Sequence, residues 1–85
     1  MFRWMQRWFS KAKPRHAILY TREGCHLCDV AAETLRQAGY TTQSVDIDQD
    51  ATLRSRFNHE VPVVEIDGRI RFRGHVDPLL LKRLG

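Results

Sequence analysis

A pair of cysteines between a short apolar run and an amphipathic stretch is the feature that most constrains this chain. Residues 17–20, Ala-Ile-Leu-Tyr, have the β-branched and aromatic character of a buried strand. From about Leu27, apolar residues recur at helical spacing, and Gly39 supplies a helix stop. Cys25 and Cys28 therefore lie where a strand leads into the N-terminus of a helix.

The rest of the chain predicts a small α/β domain. Asp67-Gly68 is a strong hairpin signal, and the arginines that alternate through residues 69–73 are typical of an edge strand. A strand, a helix and a strand in succession predict a parallel pair, which the hairpin extends antiparallel. The elements predicted after the first helix are a strand at 41–47, a short helix capped by Asp48 or Asp50, strands at 62–66 and 69–73, and a helix at 76–84.

The last strands and helix contain one unexplained residue and one apolar side. Glu65 interrupts an otherwise apolar strand, and nothing in the sequence accounts for it. Pro78 suits the first turn of the closing helix, whose apolar side consists of Leu79, Leu80 and Leu84.

Composition narrows the chemistry of the cysteine pair. With 85 residues the chain predicts one small domain. Two cysteines are too few for a disulfide-stapled secreted scaffold, and a Cys25–Cys28 bridge closes too short a loop to restrict the unfolded chain. No apolar run is long enough to span a bilayer, and no signal peptide is visible. These features predict redox or metal chemistry in a reducing compartment, with a cytoplasmic location.

Zinc binding is the main chemical alternative to a redox pair. A structural zinc site needs four ligands, usually from paired clusters. Beyond the two cysteines the chain offers four histidines, and no two of them have the close spacing of zinc ligands. We therefore predict no bound metal. An iron–sulfur cluster shared between two chains through Cys25 stays open, without a positive sign in the sequence.

Positive charge is concentrated at the N-terminus. Residues 1–15 carry five Lys and Arg and no acidic residue, whereas the other nine Lys and Arg face ten Asp and Glu. The formal net charge of +4 therefore comes from these first residues. We divide the chain into a basic arm at 1–15 and a domain at 16–85. The domain shows no nucleic-acid signature, and no nucleic-acid partner is expected.

The arm has an amphipathic pattern. At helical spacing its aromatic residues and methionines fall on one face, and its Arg, Gln, Ser and Lys on the other. A basic helix of residues 1–13 would make weak contact with anionic membranes and place the protein at a membrane periphery. The alternatives are packing of this helix on the domain, partial disorder, and a short organelle-targeting segment.

Three motifs occur in an order that resembles a known family. The segment YTREGCHLC joins the first strand to the first helix, Val61-Pro62 precedes the third strand, and a hairpin and a final helix follow. Over roughly residues 17–84 this pattern resembles glutaredoxin-like members of the thioredoxin superfamily. The resemblance implies a four-stranded mixed sheet flanked by three helices. The amphipathic pattern of the arm adds an extra N-terminal helix to this fold. It also implies that Pro62 follows a cis peptide bond and faces the cysteines.

The resemblance implies a small thiol–disulfide oxidoreductase, and the chemistry of a helix N-terminus supports this independently. Unpaired backbone N–H groups and the positive dipole end stabilise a thiolate, the attacking form of cysteine. Cys25, after the flexible Gly24, is expected to be exposed and to act as nucleophile. Cys28 is expected to lie behind it and to resolve the mixed disulfide. The alternative is a non-catalytic module that binds peptide or thiol partners in a groove at Pro62.

Six residues around the pair are predicted to bind substrate. Arg22 occupies the family's basic position and would attract an anionic substrate, unless it is an ordinary exposed arginine. His26 replaces the proline common in glutaredoxins and, when protonated, would stabilise the thiolate, unless it is a solvated surface side chain. The backbone of Val61 is expected to pair with an extended substrate. The predicted set is Arg22, His26, Val61, Pro62, Gly74 and Asp77.

The use of glutathione is the open question of this site. Glutaredoxins hold glutathione partly through two glycines after the fourth strand and an acidic residue shortly beyond. Here Gly74 is followed by His75, and Val76 stands where the first acid is often found. Asp77 either substitutes for that acid or caps the last helix. We predict no tightly bound cofactor, a disulfide-containing protein or glutathione as partner and co-substrate, and a monomer.

Overall fold

The computed structural model describes residues 15–84, and the predicted order of elements is confirmed in this range. The arm's helix and its predicted membrane contact lie outside the described residues and stay predictions. No helix within residues 15–84 has the length and apolar character needed to cross a membrane. The elements are β1 (Arg15–Thr21), α1 (His26–Gln37), β2 (Tyr40–Asp46), a 3₁₀ helix (Ile47–Gln49), α2 (Ala51–Phe57), β3 (Val63–Ile66), β4 (Arg69–Arg73) and α3 (Pro78–Leu84).

The four strands form one mixed sheet in the order β2-β1-β3-β4. β1 and β2 are parallel, with Arg15 opposite Tyr40 and Thr21 opposite Asp46. β3 runs antiparallel to β1, and β4 runs antiparallel to β3. Because parallel neighbours need a crossover connection, α1 lies between β1 and β2 in the chain. The predicted parallel pair, the antiparallel hairpin and the edge position of β4 are confirmed.

Apolar side chains pack on both faces of this sheet. The smaller cluster joins α2 to one face through Phe57, Ile47 and Val63, with Tyr20 and Ile70 half-buried beside it. Because both faces are covered, the sheet is the central layer of the domain. The larger cluster joins α1 and α3 to the other face and consists of Ala17, Leu19, Ala31, Leu35, Tyr40, Val64, Ile66, Phe72, Val76 and Leu81.

A β-bulge divides the residues of β4 between the two clusters. The pairing of β3 with β4 shifts between Val64, which lies opposite Phe72, and Glu65, which lies opposite Ile70. Residues two apart on a regular strand share a face. The bulge instead places Phe72 in the larger cluster and Ile70 beside the smaller one.

Glu65, which the sequence leaves unexplained, ties β3 to β1. Its carboxylate accepts a hydrogen bond from the Tyr20 hydroxyl at 2.9 Å. The Tyr20 ring packs on Phe57, with ring centroids 4.8 Å apart. Burial raises the pKa of Tyr20, and the hydrogen bond to Glu65 raises it further. A polar strand residue is thus accommodated at the margin of the smaller cluster because it has a hydroxyl donor.

The closing helix differs from its prediction. It begins at Pro78, two residues later than predicted. Leu81 is the buried leucine, and Leu79 is 72% exposed. Three consecutive leucines place apolar side chains on several sides of a short helix. Periodicity alone therefore does not determine which of them packs on the sheet. The leucines of the predicted apolar side are all exposed, namely Leu79, Leu80 and Leu84.

Candidate active site

The turn between β1 and α1 carries the first cysteine. The carbonyl oxygen of Arg22 accepts a hydrogen bond from the Cys25 N–H at 3.3 Å, which closes the turn. Gly24 has a φ of +79°, a conformation that residues with a Cβ atom rarely adopt. α1 follows directly, and Cys25 is its N-cap residue. The turn therefore places Cys25 where the first backbone N–H groups of a helix have no partner within the helix.

The sulfur of Cys25 occupies the capping position of α1. The Cys28 N–H donates a hydrogen bond to Cys25 Sγ, with an N···S distance of 3.1 Å. The carbonyl oxygen of Cys25 accepts from the N–H groups of Cys28 and Asp29 at 3.2 and 3.3 Å. A thiolate at this position is stabilised by the backbone donor and by the positive end of the helix dipole.

Cys25 and Cys28 are joined by a disulfide, with their Cα atoms 5.2 Å apart. Cys25 is half-buried rather than exposed as predicted, whereas Cys28 is only 2% exposed. Cys25 is therefore the more accessible of the two sulfur-bearing residues. Cys28 lies behind it, within bonding distance, as the sequence predicts.

The Val61-Pro62 peptide bond is cis, as the family resemblance implies. β3 begins directly after Pro62 and runs antiparallel to β1, so Pro62 lies at the sheet end from which the chain leaves for Cys25. The Pro62 carbonyl oxygen accepts a hydrogen bond from the Gly74 N–H at 2.7 Å. Pro62 is buried, and Val61 and Gly74 are half-buried. The fold thus brings three predicted site residues together at the cysteine end of the sheet.

Asp77 and His26 have simpler surroundings. The Asp77 carboxylate accepts a hydrogen bond from the Leu79 N–H at 2.9 Å and caps α3. Of the two roles that the sequence leaves open for Asp77, the structure therefore shows the cap. His26 is the first residue of α1 and is exposed. Its predicted effect on the thiolate stays a prediction.

Arg22 is engaged with two other segments of the chain. Its guanidinium donates to both carboxylate oxygens of Asp48, at 2.7 and 3.1 Å. It also donates to the backbone oxygen and the side-chain oxygen of Asn58, at 2.7 and 3.1 Å. The hydrogen bonds from Arg22 lower the pKa of Asp48, and the bond to Asp48 raises the pKa of Arg22. Sequence reasoning missed Asp48 and Asn58 because no local pattern links residues 26 and 36 positions apart.

Two further features of the described residues concern metal binding and cavities. Within the described residues, no three His, Cys, Asp or Glu side chains are grouped to hold a metal ion. A cavity of about 400 Å³ lies between α1 and α3, toward the end of α1 that is distant from the cysteines. This cavity is lined by Arg15, Thr34, Gln37, Ala38, Pro78, Leu81 and Lys82.

The fold and this site define the class of protein. A four-stranded mixed sheet with three helices and a Cys-x-x-Cys pair at the start of α1 is a thioredoxin-like fold that supports a redox-type function. Residues 16–84 match the family model described as Glutaredoxin-like domain (DUF836). The chain therefore belongs to this glutaredoxin-like family of the thioredoxin superfamily, as the motifs predict.

Individual proteins agree with this assignment. The chain is similar to the glutaredoxin-like protein YDR286C homolog of Dictyostelium discoideum, with 32% identity over 68 residues. The match covers 68% of this chain, which spans 63% of that relative's length. The X-ray structure of the protein XcR50 from X. campestris is 40% identical, with a TM-score of 0.69, over 80% of this chain and 92% of that one. The thioredoxin-like protein BC3987 is 25% identical, with a TM-score of 0.61, over 80% and 97% of the two chains.

Proposed function

We propose that this chain is a thiol–disulfide oxidoreductase in which Cys25 attacks and Cys28 resolves. The observation that carries the proposal is the hydrogen bond from the Cys28 N–H to Cys25 Sγ at 3.1 Å. This bond favours the attacking form of the more accessible sulfur. Cys28 is buried behind Cys25 and bonds to it, so the second step needs no rearrangement of the fold.

The proposed cycle begins with the reduced pair. The Cys25 thiolate attacks one sulfur of a substrate disulfide, whose S–S bond breaks, and the departing sulfur takes up a proton. Cys28 then loses its proton and attacks Cys25 Sγ, which releases the second substrate sulfur as a thiol and closes the Cys25–Cys28 bond. Two electrons pass from the pair to the substrate. A thiol reductant, either glutathione or a protein dithiol, restores the pair by the reverse exchange.

Docking of the substrate is proposed at Val61 and Pro62. An extended peptide would pair with the backbone of Val61 as an added strand, which aligns a neighbouring disulfide with Cys25. The support is the position of the cis bond at the sheet end from which the chain leaves for Cys25. His26, when protonated, would add positive charge beside the attacking sulfur. The proposed partner is a disulfide-containing protein or glutathione.

The test is reduction of a protein disulfide such as insulin. Reduced wild-type protein should reduce the disulfide stoichiometrically when it is used alone. It should reduce the disulfide catalytically when a thiol reductant is added. The Cys25→Ser variant should be inactive because the sulfur that attacks is gone. Equal reduction by wild type and Cys25→Ser would contradict the role of Cys25. No reduction by wild type would contradict the proposal as a whole and leave the non-catalytic binding module as the explanation of the fold.

A trapping experiment identifies the partner. The Cys28→Ser variant keeps the attacking sulfur but lacks the resolving one, so mixed disulfides should accumulate on Cys25 in cell extract. Glutathione on Cys25 supports turnover of the glutaredoxin type. Adducts with proteins alone support a dithiol cycle of the thioredoxin type. The Cys25→Ser variant is the control and should trap nothing.

A further inference from the structure

Arg22 connects the turn before α1 to two distant segments. The N–H groups of its guanidinium donate hydrogen bonds to both carboxylate oxygens of Asp48 and to the backbone and side-chain oxygens of Asn58. These contacts engage four of the five N–H groups that an arginine side chain offers. We name this arrangement of Arg22, Asp48 and Asn58 the arginine clamp.

Both anchors of the clamp are themselves held in place. The Asp48 N–H donates to the Asp46 carboxylate at 2.9 Å, at the start of the 3₁₀ helix. Asn58 is the C-cap residue of α2, directly after Phe57, which is buried in the smaller cluster. The clamp therefore ties the turn to ordered parts of the fold.

The other end of the same turn is Cys25. The carbonyl oxygen of Arg22 accepts the Cys25 N–H at 3.3 Å, so both the backbone and the side chain of Arg22 are engaged. Glu23 and Gly24, between them, are exposed. The turn that Arg22 closes thus leads directly into the residue whose Sγ accepts the Cys28 N–H.

We infer that Arg22 is a positioning residue, which holds Cys25 Sγ at the start of α1 through the arginine clamp and does not serve as a cation for anionic substrates. Its side chain is 28% exposed, and that of Asp48 is 41% exposed. An ion pair this exposed contributes little to global stability, so its value lies in geometry. A bidentate guanidinium fixes direction as well as distance, which a lysine ammonium does not. The inference rests on the proposed thiol–disulfide exchange for its function.

The two roles of Arg22 predict opposite effects for Asp48→Ala. If Arg22 acts through its charge, removal of Asp48 frees a cation beside Cys25, and the thiolate becomes more stable and more reactive. If Arg22 acts through the clamp, the same removal loosens the turn and lowers the reactivity of Cys25. Arg22→Lys gives a second contrast, because it keeps the charge and loses the fork.

The experiment uses the full chain with Cys28→Ser, so that Cys25 is the only thiol. The rate of its alkylation by iodoacetamide, an uncharged reagent, is measured together with its thiolate absorbance across pH. We expect Arg22→Ala, Arg22→Lys and Asp48→Ala to slow alkylation about threefold to tenfold, with the thiolate forming at higher pH. Glu33→Ala is the matched control, because it removes a bidentate pair with Arg36 on the outer face of α1 and should leave the rate unchanged.

Two results would overturn the inference. One is faster alkylation in Asp48→Ala together with a wild-type rate in Arg22→Lys. The other is a rate toward oxidised glutathione that rises in Asp48→Ala relative to the rate toward the uncharged hydroxyethyl disulfide, measured with Cys28 intact. If Asp48→Ala does not fold, Asn58→Ala replaces it, since it removes one acceptor and keeps the ion pair; slowed alkylation supports the clamp, and an unchanged rate contradicts it.

Alkylation of Cys25 tests the positioning role of Arg22, and disulfide reduction tests the proposed function, so the two proposals can be rejected separately. If wild-type protein reduces no disulfide while the clamp variants still slow alkylation, the proposed function is wrong and the positioning role of Arg22 stands. If wild-type protein reduces disulfides while all clamp variants alkylate at the wild-type rate, the positioning role is wrong and the proposed function stands.

Discussion

The N-termini of α1 and α2 are both capped by a side-chain acceptor, which is a sulfur atom in α1 and a carboxylate oxygen in α2. α2 begins after Asp50, whose carboxylate accepts hydrogen bonds from the Thr52 and Leu53 N–H groups at 2.8 and 3.2 Å. α1 begins after Cys25, whose sulfur accepts from the Cys28 N–H at 3.1 Å. Aspartate is among the preferred N-cap residues, and cysteine is not. The better cap therefore stands on the helix that carries no cysteine.

This difference links the cap of α1 to its chemistry. A neutral thiol is a weak acceptor, whereas a thiolate is a charged acceptor facing a backbone donor and a helix dipole. A thiolate at Cys25 would therefore cap α1 better than a thiol, so the helix start favours the ionised form of a reduced Cys25. The start of α2 is capped by the Asp50 side chain and involves no cysteine.

Both helix starts depend on one short segment of the chain, residues 46–50. Asp50 caps α2, and its N–H donates to the Ile47 carbonyl at 3.2 Å. Asp48, between them, holds Arg22 in the turn before α1. One segment thus caps α2 and contacts the turn before Cys25 through different side chains. Substitutions at Asp48 and Asp50 therefore separate reactivity from stability.

The largest expected effect is that of Cys25→Ser. Disulfide exchange should fall below detection, because the hydroxyl of serine is not a nucleophile at the pH where a thiolate is. The thermal midpoint of the reduced protein should not fall, since serine is a good N-cap residue. Insulin reduction and thermal unfolding under reducing conditions measure the two effects. Reduced wild-type protein is the reference. A thermal midpoint of Cys25→Ser clearly below that of the reference would show that the Cys25 sulfur caps α1 better than a serine hydroxyl does.

Asp50→Ala should give the opposite pattern. Loss of the carboxylate leaves the Thr52 and Leu53 N–H groups without their acceptor, at a cost of about 1 kcal/mol in the free energy of unfolding. Exchange by Cys25 should be unchanged in the folded protein. Chemical denaturation and insulin reduction measure these quantities. Asp50→Asn is the control, because asparagine caps nearly as well; a large drop in exchange with Asp50→Ala would mean that the two helix starts are coupled.

The features that the sequence predicts well are local. The hairpin forms at Asp67 and Gly68, both of which have positive φ, because an Asp-Gly pair favours that turn. The crossover of α1 follows from a strand, a helix and a strand in succession. The position of Cys25 and Cys28 at a helix start follows from local sequence signals, because the apolar run before them predicts a strand and the spacing after them predicts a helix.

The features that escaped prediction are contacts between distant parts of the chain. The Tyr20–Glu65 hydrogen bond joins residues 45 positions apart, and the bonds from Arg22 to Asp48 and Asn58 span 26 and 36 positions. Such contacts depend on strand register and on how loops end, which periodicity does not determine. The clamp is therefore the part of the candidate site that only the fold reveals.

Tyr20→Phe tests a contact outside both helix starts and should have a moderate effect. It removes the hydroxyl that donates to Glu65, with an expected cost of about 1 kcal/mol and no change in exchange. The pKa of Tyr20 is raised in the folded state, so its contribution is present below its ordinary value of 10.0 and is lost as pH rises through the folded value. The stability difference between wild type and variant should therefore shrink at alkaline pH. Denaturation series at neutral and alkaline pH measure it, and a difference that grows with pH would contradict the prediction.

The smallest effect is expected at the outer face of α1, with Glu33→Gln. Hydrogen bonds from Arg36 and Gln37 lower the pKa of Glu33 to about 2. A depressed pKa means that the contribution is present above the ordinary value of 4.5 and is lost as pH falls toward about 2. The side chains of Arg36 and Glu33 are 71% and 51% exposed, so solvent screens the pair, and the midpoint should change by at most about 2 °C at neutral pH. Thermal unfolding at neutral pH, at acidic pH and in high salt measures the change, which should vanish in acid and diminish in salt. A loss of stability as large as that of Asp50→Ala, or any slowing of Cys25 alkylation, would contradict the prediction that this exposed pair contributes little to stability and does not position Cys25.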